Sequence, residues 1–228
     1  MGDRVIAITG AFGVLGSAVA KRAAASGARL ALIDFAPAPA GPVPDGALAL
    51  GGVDLTDAGA AATALDAVAA KFGGLDVLIN VAGGFRWETL EDGSADSWAG
   101  LYRMNVLTTA NASRAALPHL RKSGAGRIVN VGANGAVKAA MGMGAYAASK
   151  AGVHRLTESL AEELKGDGIT VNAVLPSILD TPTNRADMPK ADPSQWVQPD
   201  DLAAVILFLA SEEARAVTGA LVPVTGRV

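Results

Sequence analysis

The sequence predicts an α/β fold, a single domain over residues 1–228 built on a doubly wound parallel sheet of about seven strands. Short apolar runs of strand length recur along the chain, and alanine-rich stretches of helix length stand between them. The first run, residues 4–9, leads directly into a glycine-rich turn and a helical stretch, the order that opens a parallel sheet. With no internal repeat and no second core, one sheet accounts for the whole chain.

The elements are expected in regular alternation. The apolar runs predict strands at residues 4–9, 29–34, 47–50 with an outgoing end at 53–55, 75–80, 126–131, 169–175 and, as an edge strand, 220–224. Helices are expected at residues 14–26, 56 or 57–72, 97–121, 145–165 and 200 or 201–210. Pro118 is expected to end or kink the third helix, and Asp200 or Asp201 to cap the last. The proline-rich residues 35–44 are expected to form a surface loop.

The first turn predicts a dinucleotide site. Gly10, Gly13 and Gly16 let the backbone turn tightly and approach a pyrophosphate, which the amides and the dipole of the following helix N-terminus would hold. Asp34 ends the second strand 18 residues after Gly16, close to the separation of about 20 expected for an acid that binds the adenosine ribose. The sheet is therefore expected to be of the Rossmann type.

Composition excludes several classes of function. The net charge is −3 with no basic run, which argues against nucleic acid. The chain has no cysteine, so disulfides, thiolate metal sites and thiol catalysis are ruled out. The longest apolar run, residues 202–210, is too short for a membrane span, and the first strand leaves no room for a signal peptide. These features predict a cytoplasmic protein that binds a small molecule.

Tyr146 and Lys150 form the strongest candidate for catalysis. Residues four apart share a helix face, so the ammonium of Lys150 is expected near the Tyr146 hydroxyl. A free phenol has a pKa of about 10, and a neighbouring cation is expected to lower it. Tyr-x-x-x-Lys is then a workable proton donor for the reduction of a polarised double bond.

The sequence resembles the short-chain dehydrogenase/reductase family over nearly its whole length. The matching pieces are Thr9-Gly10 to Gly16, Asp34, Asp54-Leu55, Asn80-Val-Ala-Gly83, Asn105, Tyr146-x-x-x-Lys150 and Asp180-Thr181-Pro182. The resemblance implies that Tyr146 is the catalytic acid/base, that Lys150 lowers its pKa and binds the nicotinamide ribose, and that Asn105 anchors a water in the proton relay. It also implies a cofactor site formed by Gly10, Phe12, Gly13, Val14, Leu15, Gly16, Asp34, Asp54, Leu55, Asn80, Ala82, Gly83, Tyr146, Lys150, Pro176, Ile178 and Thr181.

The chain departs from the family pattern at two positions. The middle glycine of the usual TGxxxGxG motif is replaced by Val14, and a glycine stands at position 13 instead. The family's catalytic serine, 13 residues before the tyrosine, is Ala133. Loss of one donor to a developing oxyanion costs about 10²–10³ in rate. Asn134 or a water could replace the serine, or the substrate could need no such donor.

The loop at residues 176–199 resembles the substrate loop of the dihydropteridine reductase branch of the family, which also lacks the serine and prefers NADH. That resemblance implies a planar quinonoid pterin or quinone, and another carbonyl or alcohol remains the alternative substrate. Phe85, Trp87 and Trp196 are candidates for the walls around a flat substrate.

Charge determines the expected cofactor. Asp34 would repel a 2′-phosphate, so NAD(H) is expected in preference to NADP(H). His119 and His154 have no metal-ligand spacing and are assigned to helix surfaces, so no metal is expected. The family resemblance implies a homodimer or homotetramer that associates through the helices at 97–121 and 145–165. The rival interpretation is a nucleotide-binding sensor or scaffold that lost its catalytic serine.

Overall fold

The fold is a seven-stranded, all-parallel sheet with helices on both faces, seen in a computed structural model that describes residues 2–228. The strand order is β3-β2-β1-β4-β5-β6-β7. This confirms the predicted doubly wound α/β class. The strands are β1 Val5–Thr9, β2 Arg29–Ile33, β3 Leu48–Leu50, β4 Val77–Asn80, β5 Arg127–Val131, β6 Thr170–Pro176 and β7 Leu221–Val224. The helices are α1 Val14–Ala25, α2 Ala58–Phe72, α3 Ala95–Tyr102, α4 Thr108–Ser123, α5 Gly144–Glu163, α6 Pro182–Asp187 and α7 Pro199–Leu209.

Two cores lie on the two faces of the sheet. Successive side chains of β1 point to opposite faces, so Ile6 and Ile8 join one core while Val5 and Ala7 join the other. Helices α1 and α7 cover the first face, and α2, α4 and the end of α5 cover the second. Burial on both faces explains why the strands are continuous apolar runs.

The expected helix at 97–121 is interrupted, although not at its proline. A π-helical turn, Arg103–Leu107, separates α3 from α4, and Pro118 lies inside α4. A π turn contains one residue more per turn than an α-helix and so shifts the side chains that follow it. The prediction that Pro118 ends the helix was therefore wrong.

Three smaller expectations also change. Residues 53–55 form a loop instead of a strand end. Gln198 is the residue before the first turn of α7, and the two aspartates at 200 and 201 lie inside that turn, where their charge favours the helix dipole. Pro176 continues β6 because the strand pairs with β7 through Val224, and a proline nitrogen is tolerated at a strand end.

The strand order reverses between β1 and β4. In open parallel sheets, ligands bind beyond the carboxyl ends of the strands at such a reversal. No helix within residues 2–228 is both long and apolar enough to cross a membrane.

Candidate active site

A cleft of about 920 Å³ opens beyond the carboxyl ends of β1, β2 and β4. Twelve of the seventeen predicted cofactor residues line it, whereas Asn80, Tyr146, Lys150, Pro176 and Ile178 do not. The twelve are Gly10, Phe12, Gly13, Val14, Leu15, Gly16, Asp34, Asp54, Leu55, Ala82, Gly83 and Thr181.

The three glycines of the first turn have different roles. Gly10 has φ +63°, and a Cβ there would lie 2.8 Å from the Ala82 nitrogen. A Cβ on Gly16 would overlap the Gly10 carbonyl, so this glycine lets α1 pack closely on the turn. A Cβ on Gly13 would meet only the Gly10 oxygen, at an ordinary 3.5 Å. Two glycines are thus required by the fold, and the third leaves space facing the cleft.

Two carboxylates are held in place by the backbone around them. One oxygen of Asp34 accepts the N–H of Phe12 at 2.8 Å, and the other accepts the N–H of Ala36 at 2.9 Å. Asp54 accepts both the N–H and the hydroxyl of Thr56, at 2.9 and 2.7 Å. The space above Gly13 and the fixed Asp34 fit the pyrophosphate and ribose of a dinucleotide.

The π turn places Asn105 in the interior beside the cleft. Its side chain is fully buried, accepts the N–H of Gly84 at 2.9 Å and donates to Gly84 O at 3.1 Å and to Ser149 Oγ at 2.9 Å. A Cβ on Gly83 would lie 2.5 Å from Asn105 Oδ1 and 3.3 Å from Lys150 Nζ. Gly83 lines the cleft, and its lack of a side chain leaves room for these two polar groups beside it.

Burial sets the proton affinity of Tyr146 and Lys150. It raises the pKa of Tyr146 to about 12 and lowers the pKa of Lys150 to about 8. Lys150 Nζ donates to the Val131 carbonyl at 2.8 Å. The expected lowering of the pKa of this phenol is not found, because burial disfavours the charged phenolate.

Asn80 lies beneath the cleft. It donates to Ser113 Oγ at 3.2 Å and to Asn130 Oδ1 at 2.9 Å, and Asn130 in turn donates to Thr157 Oγ1 at 2.9 Å. This buried polar network ties β4 and β5 to α4 and α5, and the contact of Asn80 with the cofactor stays a prediction. Its own Oδ1 has no protein partner among residues 2–228.

The position of the missing serine lies against a histidine. Ala133 is buried, and its N–H donates to His154 Nε2 at 3.2 Å. His154 is only 3% exposed, so its assignment to a helix surface was wrong. Asn134 follows in a short 3₁₀ turn, Asn134–Ala136.

Of the three aromatic candidates for the substrate wall, Phe85 packs directly on Tyr146. The Phe85 ring meets the Tyr146 ring edge to face, with centroids 4.8 Å apart. Trp87 donates from Nε1 to the Met141 carbonyl at 3.1 Å. Trp196 is 4% exposed and does not line the cleft, so the structure gives no support to its predicted place in the substrate wall.

Some cleft residues had no signal in the sequence. The proline-rich loop, expected to be a plain surface loop, lines the cleft next to Asp34. Arg103 and Met104 line it from the π turn, whose existence no motif announces. The added residues are Phe35, Ala36, Ala38, Ala40, Val53, Thr56, Val81, Gly100, Arg103, Met104, Thr108, Leu179 and Thr183.

Comparison with known proteins identifies the family. The family model described as short chain dehydrogenase matches residues 4–192. The chain is 33% identical to meso-2,3-butanediol dehydrogenase of Serratia marcescens, over 98% of this chain and 94% of that protein. It is also 33% identical to D-threitol dehydrogenase of Mycolicibacterium smegmatis, over 98% of this chain and 92% of that protein.

A solved structure shows the same architecture. The 3-ketoacyl-(acyl-carrier-protein) reductase of Brucella melitensis, complexed with NADH, is 30% identical with a TM-score of 0.88, covering 99% of this chain and 98% of that one. The chain belongs to the short-chain dehydrogenase family and is an oxidoreductase.

Proposed function

We propose that the protein transfers a hydride between the nicotinamide of NAD(H) and a C=O or C=N carbon, with Tyr146 exchanging the proton. The observation that carries this proposal is a cleft lined by the glycine turn and Asp34, in which Gly83 of the lining lies beside Asn105 and Lys150. Tyr146 lies one helical turn before Lys150, on the same face of α5.

Each residue has a proposed role in the transfer of the hydride and the proton. The nicotinamide supplies or accepts the hydride when bound. Tyr146 holds the proton at its hydroxyl, and the high pKa that burial gives the phenol keeps it protonated at neutral pH. Lys150, whose Nζ donates to Val131 O, is proposed to bind the nicotinamide ribose and, with the cofactor bound, to lower the pKa of Tyr146. Asn105 supports a water in the proton relay.

NAD(H) is proposed in preference to NADP(H). The Asp34 carboxylate is fixed at the end of β2, where a 2′-phosphate would meet its charge. The 3-ketoacyl reductase structure from Brucella melitensis holds NADH, which supports the same choice.

For the substrate we propose a flat, unsaturated ring compound such as a quinone or quinonoid pterin. Ala133 offers no hydroxyl to an oxyanion, so the reaction has to rely on Tyr146 for that contact. Phe85 and Trp87 are 57% and 54% exposed, and the Phe85 ring packs edge to face on Tyr146. The relatives named for butanediol and threitol favour the alternative, a small secondary alcohol and its ketone.

The test is NADH oxidation with a panel of quinones, quinonoid pterins and small ketones. The proposal expects turnover of the flat acceptors to exceed that of aliphatic ketones. Ketone turnover equal to or above quinone turnover would assign the substrate to the alternative class. Tight NADH binding without oxidation by any acceptor would favour the nucleotide-binding sensor or scaffold.

We also propose that the enzyme is a cytoplasmic homodimer or homotetramer that associates through α4 and α5. The family resemblance and the low content of charged residues, 18%, support this proposal. Light scattering of the purified protein measures the number of subunits directly.

A further inference from the structure

The face of α5 that carries Tyr146 and Lys150 continues one turn further to His154. Positions 146, 150 and 154 follow at intervals of four, so the three side chains share one face of the helix. Proton transfer as proposed above uses the first two only. His154 is buried beneath them, at the end of β5 where the family serine is replaced by Ala133.

The hydrogen bond fixes the protonation of the ring. A backbone N–H only donates, so His154 Nε2 has to accept the proton of Ala133, and the ring proton belongs on Nδ1. Burial, together with the charges of Arg155 and Lys150, lowers the pKa of His154 to about 4. The ring is therefore a neutral acceptor at neutral pH.

The neighbouring residue is shaped to admit this ring. A Cβ on Gly132 would lie 2.5 Å from His154 Nε2 and 2.7 Å from Cδ2, with Leu175 behind the ring at 3.3 Å from the same point. Any side chain at position 132 would push the imidazole away. The glycine and the histidine thus form an interlocked pair at the end of β5.

We propose that His154 is a positioning residue, which holds the segment Gly132–Asn134 against the catalytic face of α5 and so sets the shape of substrate that reaches Tyr146. The inference rests on the proposed function. With alanine at position 133, the segment has a methyl group where a serine would bind the substrate oxygen. The segment therefore affects the substrate only through its position as a wall of the substrate site. A displaced wall changes selectivity between substrates of different shape.

The experiment compares His154→Leu with His154→Gln. Leucine removes the acceptor at similar volume, whereas the glutamine oxygen can accept the Ala133 N–H. The readout is the ratio of kcat/KM for a quinone to kcat/KM for a small ketone, per NADH-binding site. His119→Leu is the matched control, because His119 lies on α4 and forms a hydrogen bond with Asp66, away from the candidate active site.

For His154→Leu we expect kcat/KM for the quinone to fall about tenfold or more and the ratio to change, with NADH binding unchanged, since displacements near 1 Å cost up to about 10² in rate. His154→Gln restores the ratio, and His119→Leu leaves it at the wild-type value. A purely structural role would lower the fraction of folded protein and leave the ratio per site constant. An unchanged ratio in folded His154→Leu would overturn the proposal.

A second measurement uses the wild-type protein and tests the proposal even if a His154 variant does not fold. In ¹⁵N NMR of the wild-type imidazole, the proposal requires an unprotonated Nε2 and a protonated Nδ1, and the reverse tautomer contradicts it. Gly132→Ala approaches the same contact from the other side and should shift the ratio in the same direction. Failure of the proposed function shows differently, as a wild type without turnover or a Tyr146→Phe variant that keeps it.

Discussion

At the Asp34 end of the cleft the site is made of backbone, whereas at the Tyr146 end it is made of buried side chains. In the first region, Gly10, Gly13 and Gly16 have no side chain and so leave room for the turn and the cleft. The Asp34 carboxylate, held by two backbone amides, completes this region. The second region depends on Asn105, Lys150 and their partners, which come from the π turn, α5 and β5. A local motif determines the first region, and packing across the sheet determines the second.

The largest effect is expected at the side-chain end. Tyr146→Phe removes the proton donor and leaves the cleft intact, so turnover should fall by about 10²–10⁴ while NADH affinity stays within about twofold. Stopped-flow oxidation of NADH and fluorescence titration measure the two quantities. Turnover within tenfold of the wild type would remove Tyr146 from its role.

At the backbone end, the fold and the ligand depend on different glycines. Gly13→Val fills the space facing the cleft and should weaken NADH binding by about tenfold or more with little change in melting temperature. Gly16→Ala is the matched substitution, and it should lower the melting temperature because its Cβ overlaps the Gly10 carbonyl. Equal effects of both variants on stability would contradict this division.

A smaller gain is expected from restoring the missing hydroxyl. Ala133→Ser supplies a donor to a developing oxyanion and should raise ketone reduction by about tenfold, below the full 10²–10³ because the wall was shaped around a methyl group. The measurement is kcat/KM with a small ketone. A flat result would mean that the serine position does not limit ketone turnover.

The smallest effect concerns stability and pH. Burial lowers the pKa of Lys150 in the folded protein to about 8 from its ordinary value of 10.5. Between these pH values the unfolded chain binds more protons, so this group increases stability as pH rises. The Lys150→Met variant lacks this increase in stability with rising pH. Its melting temperature relative to the wild type should therefore decline from pH 8 to pH 10, and a constant difference would show that Lys150 is not charged and buried as described.

The same contrast explains what the sequence could predict. The glycine turn, Asp34 and the Tyr-x-x-x-Lys spacing are local patterns. The doubly wound sheet was predicted correctly, and the residues predicted around the glycine turn line the cleft, while their contact with a cofactor stays a prediction. The π turn that places Asn105 packs, together with α3, against α5, and no local pattern encodes that packing. Burial reversed the expected pKa shift of Tyr146 and moved His154 from the surface to the interior, and both follow from contacts distant in sequence.

The most direct test is a crystal structure of the protein with NAD(H). The account predicts the Tyr146 hydroxyl within hydrogen-bonding reach of a substrate oxygen or nitrogen over C4 of the nicotinamide, with Lys150 Nζ on the nicotinamide ribose. A Tyr146 ring turned away from C4, or a nicotinamide bound elsewhere, would contradict it.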